Sequence, residues 1–228
     1  MKIAIFGRDK EAIRLHRKEV KEASFIYDEK NPDIVVSLGG DGTFLMSERL
    51  YPGIPKILVR GHNICVKCEA GPLSEILQNL KAGKYRIEEY RKLEAEWRGK
   101  KILAVNDIVI RNKRPIHAIR FLVFANDKQE GGEFIGDGVV ISSPFGSTAY
   151  YYSITKRTFK KGLGIAFNNL AKKTDHMIVP ENSAVEIKLS RGDATFSWDN
   201  NEEIVAMRTG ESVRIKMSDK VARIIRMK

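Results

Sequence analysis

Ile34-Val35-Val36-Ser37-Leu38-Gly39-Gly40-Asp41-Gly42-Thr43 is the stretch on which the fold turns. A short apolar run rich in β-branched residues reads as a buried strand, and the glycine pair stops it. A helical stretch from Phe44 to about Leu50 follows. Strand, glycine turn and helix together make the unit of an open α/β sheet, where ligands bind at the carboxyl ends of the strands. Three glycines in four positions allow positive φ and close approach of the backbone to a bulky anion. The helix behind them offers N–H groups and the positive end of its dipole to phosphates. Thr43 adds a hydroxyl donor. Asp41 in this setting suits binding a substrate hydroxyl, taking its proton or helping to hold Mg²⁺. A plainer alternative stands beside this one: the glycines shape a tight turn and Asp41 caps the helix. The turn is neither a Walker A loop, since no Gly-Lys-Ser/Thr follows, nor Gly-x-Gly-x-x-Gly.

Outward from this turn, Lys2-Ile3-Ala4-Ile5-Phe6 reads as a first strand ended by Gly7. Asp9 is the expected N-cap of a helix over residues 10–22, with Ile13 and Val20 on its apolar side. Lys56-Ile57-Leu58-Val59 is another strand, and Pro72 opens a helix that reaches about Leu80 and closes at Gly83. This alternation predicts an α/β domain over residues 1–83 with a parallel open sheet. From residue 84 the texture changes to alternating runs (84–97, 101–111, 118–125, 133–142 and a series from 184 to 226) separated by turn residues. Residues 84–228 are expected to form a strand-rich, mainly antiparallel domain, whose last segment has the option of returning to the first. Trp97 and Trp198 sit in strand-like runs and are expected in its core.

Composition narrows the function. The chain has 228 residues, 43% hydrophobic and 30% charged, enough apolar material for cores that need no staples. No apolar run approaches the roughly 20 residues that span a bilayer, so no membrane partner is expected and the reading is cytoplasmic. The formal net charge is +11. Its basic residues are dispersed, as in Arg14, Arg17, Lys18 and Lys21, with no reading element for nucleic acid beside them. A polyanionic small substrate drawn in by a basic surface fits better than a nucleic-acid partner. His62-x-x-Cys65-x-x-Cys68 offers three ligands of a zinc site without an evident fourth, and two ordinary cysteines are the simpler reading.

A second segment also has a physical reading of its own. Val139–Ser142 is a strand that runs into Pro144 and Gly146, and a helix is expected to start near Ser147 or Thr148. That gives another helix N-terminus with hydroxyls beside it, and Tyr150 adds a flat ring and a phenol. The alternative is a Pro/Gly turn with a serine cap.

Gly39-Gly40-Asp41-Gly42-Thr43 resembles the glycine-rich motif shared by NAD kinases, by diacylglycerol and sphingosine kinases and, in variant form, by 6-phosphofructokinases. Two further segments resemble NAD kinases alone. One is Ala104-Val105-Asn106-Asp107-Ile108-Val109. The other runs from Gly136-Asp137-Gly138 to Ser143-Pro144-Phe145-Gly146-Ser147-Thr148-Ala149-Tyr150, with Ser153 shortly after. The three occur in the family's order, and the chain resembles a short, archaeal-type member over most of its length. The resemblance implies transfer of the terminal phosphate of ATP to the adenosine 2′-hydroxyl of NAD, with Mg²⁺, in a homodimer or homotetramer. It implies Asp41 as the base and Gly40, Gly42 and Thr43 as the phosphate turn. Asn106 and Asp107 would bind NAD, Thr148, Ala149 and Tyr150 would shape the nucleotide pocket, and Ser153 would hydrogen-bond there. Asp137 would meet NAD, across a subunit interface in some arrangements, and Asp199 resembles the Asp of a late Asp-Gly turn.

The chain also departs from the family. Only the Gly-x-Asn core of the usual Gly-Ile-Asn-x-Gly-x-x-Gly-Phe-Leu is present, at Gly61-His62-Asn63. Phe145 replaces a threonine, Thr155-Lys156 replaces Gly-Gly, and Asn200 follows Asp199 where a glycine is common. The nicotinamide side is therefore expected to differ. Two rival readings remain: a lipid or sugar kinase built on the same turn, and a nucleotide-binding sensor without catalysis.

Overall fold

The computed structural model describes residues 1–60, 67–69, 71–172 and 174–228. In chain order the elements begin β1 (Lys2–Gly7), α1 (Lys10–Glu22), β2 (Ile26–Tyr27), β3 (Ile34–Leu38), α2 (Asp41–Leu50), β4 (Lys56–Val59) and α3 (Leu73–Lys81). Next come β5 (Tyr85–Trp97), β6 (Lys100–Ala104), β7 (Asp107–Asn112), β8 (Ile119–Ala125), β9 (Lys128–Gln129), β10 (Phe134–Gly136) and β11 (Gly138–Ser142). A 3₁₀ turn (Gly146–Thr148) leads into α4 (Tyr150–Thr155), followed by β12 (Leu163–Asn168), β13 (Met177–Val179), β14 (Ala184–Arg191), β15 (Ala194–Trp198), β16 (Val205–Met207) and β17 (Ser212–Met227). Among the described residues no helix is long and apolar enough to cross a membrane.

The chain folds as two compact units, Met1–Tyr90 with Val221–Lys228, and Arg91–Lys220. The division falls inside β5 rather than at Gly83, where the sequence texture changes, because β5 runs on without a break. In the first unit β2, β1, β3 and β4 pair in parallel in that order, and Ile224 of β17 adds in parallel beside Lys56. Ile34, Val36, Ile57 and Val59 turn one face of this sheet to α1 and α3. α3 meets that face with Leu73, Ile76, Leu77 and Leu80, an i, i+3, i+4, i+7 stripe. Each such side chain contributes about 1.5–3 kcal/mol on burial. α2 packs against β1, β3 and β4, and its Glu48 forms a buried ion pair with Lys56 of β4. α2 begins at Asp41, three residues before the apolar run at Phe44, since glycine and aspartate hide a helix start from an apolar pattern.

The second unit holds two sets of antiparallel strands around one core. In one, β10, β8, β14 and the first half of β17 pair in that order, and β5 pairs with β6. In the other the order is β13-β12-β11-β7-β15-β16. Phe121, Phe134 and Phe167 stack between them, with Phe134 and Phe167 centroids 4.5 Å apart. Trp97 and Trp198 lie in this core, as the sequence leads one to expect. Two predicted runs are broken: 101–111 at Val105-Asn106 and 133–142 at Asp137. At both breaks the backbone leaves the ladder to place polar side chains. β2, β9, β12 and β13 are strands that the sequence pattern does not mark.

Candidate active site

In the first unit β1, β3 and β4 end in register, with Gly7 opposite Leu38 and Leu38 opposite Val59. Arg8, the Gly39-Gly40 turn and Arg60 therefore follow from neighbouring strands at one carboxyl edge. They line a cavity of about 400 Å³ together with Asp9, Ala12, His16, Leu38, Gly42 and Thr43. Gly39 has φ +155°, and a Cβ there would lie 2.2 Å from Thr43 Oγ1. Only glycine fits. Its N–H donates to Val59 O at 3.0 Å, which ties the turn to the neighbouring strand.

Gly40 is the N-cap of α2, and no side chain caps the helix. Asp41 is therefore the first helical residue and not its cap, so the plainer reading of that carboxylate does not hold. By contrast Asp9 caps α1, its carboxylate accepting from Glu11 N at 2.9 Å and Ala12 N at 3.0 Å. With Asp9 committed to its own helix, Arg8 and Arg60 leave the lining suited to an anion. Lys67 is half-buried nearby. Burial lowers its pKa, and the charge of Asp41 works against that shift.

In the second unit the bend Val105-Asn106-Asp107 is held from two sides. The Asp199 carboxylate accepts from Val105 N at 2.8 Å, Asn106 N at 2.7 Å and Asp107 N at 3.4 Å. Asp199 N donates in return to Asp107 O at 2.9 Å. From the other side Ser143 N donates to Asn106 O at 2.9 Å, and Ser143 Oγ to Val105 O at 2.6 Å. Gly146 lies against the same bend, where a Cβ would fall 2.1 Å from Asn106 O. Asn106 is buried, and its Oδ1 has no hydrogen-bond partner among the described residues. A buried acceptor without a donor costs about 1–3 kcal/mol and suits a ligand N–H or O–H. Burial, and then the charge of Asp199, push the Asp107 carboxyl up to about 7. Burial also raises Asp199, with its three backbone N–H partners and Lys92 opposing.

The remaining expected residues form a second group in this unit. Asp137 accepts from Asn112 Nδ2 at 3.3 Å and Asn169 Nδ2 at 2.9 Å. Asn168 Nδ2 donates to the Tyr150 hydroxyl at 3.3 Å, which puts Tyr150 and Asp137 at one end of β12. Thr148 is exposed and Ala149 half-buried. Ser153 is exposed, and its hydroxyl donates to Tyr150 O at 2.7 Å on its own helix. The helix expected from Ser147 or Thr148 begins instead at Tyr150, after the 3₁₀ turn, and has six residues. It offers too little dipole for an anion site. Of the proposed zinc ligands, His62 and Cys65 lie outside the described residues. Among those described, no three His, Cys, Asp or Glu side chains cluster as a metal site.

Sequence reasoning missed Arg8, Arg60 and Lys92. The first two each follow a strand directly, and strand ends are where an α/β sheet gathers ligands. Lys92 carries no comparable signal.

A cavity suited to an anion over a glycine turn in the first unit, and a buried bend that presents an amide and a carboxyl in the second, are features that a nucleotide-directed phosphotransferase needs. Comparison with known proteins narrows that class. A profile of the ATP-NAD kinase C-terminal domain matches residues 105–227. The NAD kinase of Sulfurisphaera tokodaii is 31% identical over 241 residues, covering 99% of this chain and 95% of that protein. The NAD kinase of Clostridium perfringens is 31% identical over 207 residues, covering 85% and 74%. The crystal structure of an NAD kinase from Archaeoglobus fulgidus in complex with ATP superposes with a TM-score of 0.82 at 17% identity, covering 100% of this chain and 94% of that one. Yeast NADH kinase complexed with NADH gives 0.87 at 14%, covering 100% and 84%. These two structures speak for the fold. The chain belongs to the NAD kinase family.

Proposed function

We propose that the two groups of residues carry two separate requirements of one reaction, phosphate handling in the first unit and recognition of NAD in the second. The chain is an enzyme, an NAD kinase that phosphorylates NAD with ATP to give NADP. Asp41, at the start of α2 and flanked by Gly40 and Gly42, is the general base. It takes the proton of the adenosine 2′-hydroxyl as that oxygen attacks the terminal phosphorus of ATP, and ADP leaves. Phosphoryl transfer asks for alignment and charge neutralisation more than for covalent chemistry. Arg8, Arg60, Thr43 and the backbone of the glycine turn answer that need around one cavity. A divalent ion, Mg²⁺ in this reading, supplies further neutralisation when bound. In this reading it would come with ATP, held by the phosphate oxygens.

Asn106 and Asp107 bind NAD, the one by its unpartnered Oδ1 and the other by its carboxyl. Tyr150, Thr148 and Ala149 border the nucleotide, with Ser153 and Asp137 more peripheral. The same reading makes the enzyme a cytoplasmic homodimer or homotetramer. The edge strands β13 and β16 end one sheet with the exposed Ile178 alongside, which is consistent with pairing of copies. Light scattering on the purified protein tests this, and a monomer would refute it.

The observation that carries the proposal is the cavity lined by Gly39, Gly40, Gly42, Thr43, Arg8 and Arg60 at the uncapped start of α2, the helix whose first residue is Asp41. Mass spectrometry of parallel reactions with Mg-ATP and NAD, diacylglycerol or fructose 6-phosphate tests it. NADP is the expected product. Phosphorylation of either other acceptor, with NAD untouched, would sink the proposal.

A further inference from the structure

The Val105–Asp107 bend raises a question that the binding reading leaves open: what holds it. Its three backbone N–H groups converge on one carboxylate, that of Asp199. The return bond from Asp199 N to Asp107 O closes the contact into a two-way clamp. Asp199 itself adopts φ +48°, a left-handed conformation uncommon outside glycine, so its backbone is committed to aiming this side chain. An opposing cation is at hand. Lys92 is 5% exposed, and the register of β5 on β6, Leu93 opposite Ala104, sets it beside the bend.

We propose that Asp199 is a positioning residue for NAD, with Lys92 as its counter-charge. It does not touch the nucleotide. It fixes the backbone of Asn106 and Asp107 so that the amide oxygen and the carboxyl meet NAD already aimed. This rests on the reading of Asn106 and Asp107 as NAD ligands. The charged groups facing the Asp107–Asp199 pair are the two carboxylates themselves and Lys92 from β5, while β11 presents Ser142 opposite Asp107. Asp107 is 5% exposed, so the negative charge of Asp199 acts on it with little screening.

The test is Asp199→Asn, which keeps the shape, removes the charge and turns an N–H₂ toward one backbone donor. NAD affinity by calorimetry should fall about tenfold or more while the KM for ATP changes less than twofold. Carbon-13 carboxyl NMR should show Asp107 titrating near pH 7 in the wild-type enzyme and lower in the variant. An unmoved Asp107 midpoint, or equal losses for NAD and ATP, would overturn the proposal. Asn106→Ala separates the two levels. If it leaves NAD affinity intact, the binding reading has failed, whereas weaker binding there with no effect at Asp199 refutes only the positioning role. Should Asp199→Asn fail to fold, Asp199→Glu takes its place: the longer side chain misplaces the same carboxylate under the bend, so NAD affinity should fall severalfold with the KM for ATP unchanged, and unaltered NAD affinity overturns the positioning role.

Discussion

The Gly39–Thr43 turn and the Val105–Asp107 bend solve the same electrostatic problem in opposite ways. Each lies where the backbone leaves a strand, and each is suited to an anion. At the turn, no side chain caps α2 and two arginines line the cavity, so in the proposed function the anion is the phosphate of the substrate. At the bend the protein supplies its own, the Asp199 carboxylate. One site is built to receive charge and the other is already satisfied, which suits the first to binding and releasing phosphate and the second to holding still.

The largest test of that contrast is Asp41→Asn. General-base help is typically worth about 10²–10⁴-fold, so kcat should fall by that much with an unchanged circular dichroism spectrum. A near-normal rate would remove Asp41 from the chemistry. Next, Lys56→Met strips the partner from buried Glu48 on the helix that carries Asp41, where both side chains are at most 2% exposed. Breaking such a pair costs about 3–5 kcal/mol, readable by urea denaturation. Gly39→Ala should cost about 1–3 kcal/mol from backbone strain alone, and the clash with Thr43 should lower activity further. A variant as stable and active as wild type would show that the turn is not the tight fit described. Arg8→Met should raise the KM for ATP about tenfold, near 1.4 kcal/mol, and leave that for NAD alone.

A separate test reads the pH dependence of the bend. Asp107 has a raised folded-state pKa of about 7, so the folded protein binds more protons than the unfolded chain between that value and the ordinary carboxylate range. The stability from this group is full below pH ~4 and is lost as pH rises through about 7, at up to about 1.4 kcal/mol per pH unit. Relative to Asp107→Asn, wild-type stability should decline over that window in pH-stepped melts. Parallel curves would mean that the carboxyl is not held neutral.

Much of the first unit is legible in sequence because it is local. Asp9 caps α1 as its position predicts, and β3 and β4 have the predicted bounds. The second unit hides more. Asp199 and Asn106 lie far apart in sequence, and no periodicity says that one carboxylate takes three N–H groups of the other segment. Lys92 reads as one more charge on an alternating strand, yet it is buried. The turn at residues 39–43 announces its chemistry through glycine. The bend at residues 105–107 has none, and only the resemblance singled it out.

The last strand has a consequence for biosynthesis. Ile224 of β17 pairs with Lys56 of β4, so the first unit is completed by residues 221–228. The first unit begins to emerge from the ribosome first but can close its sheet only after the whole of the other unit has been made. At roughly 5–20 residues per second, that is a wait on the order of ten seconds with the edge of β4 open. During that interval the nascent chain is exposed to edge-to-edge association, and a chaperone or bound nucleotide would have its greatest influence on yield.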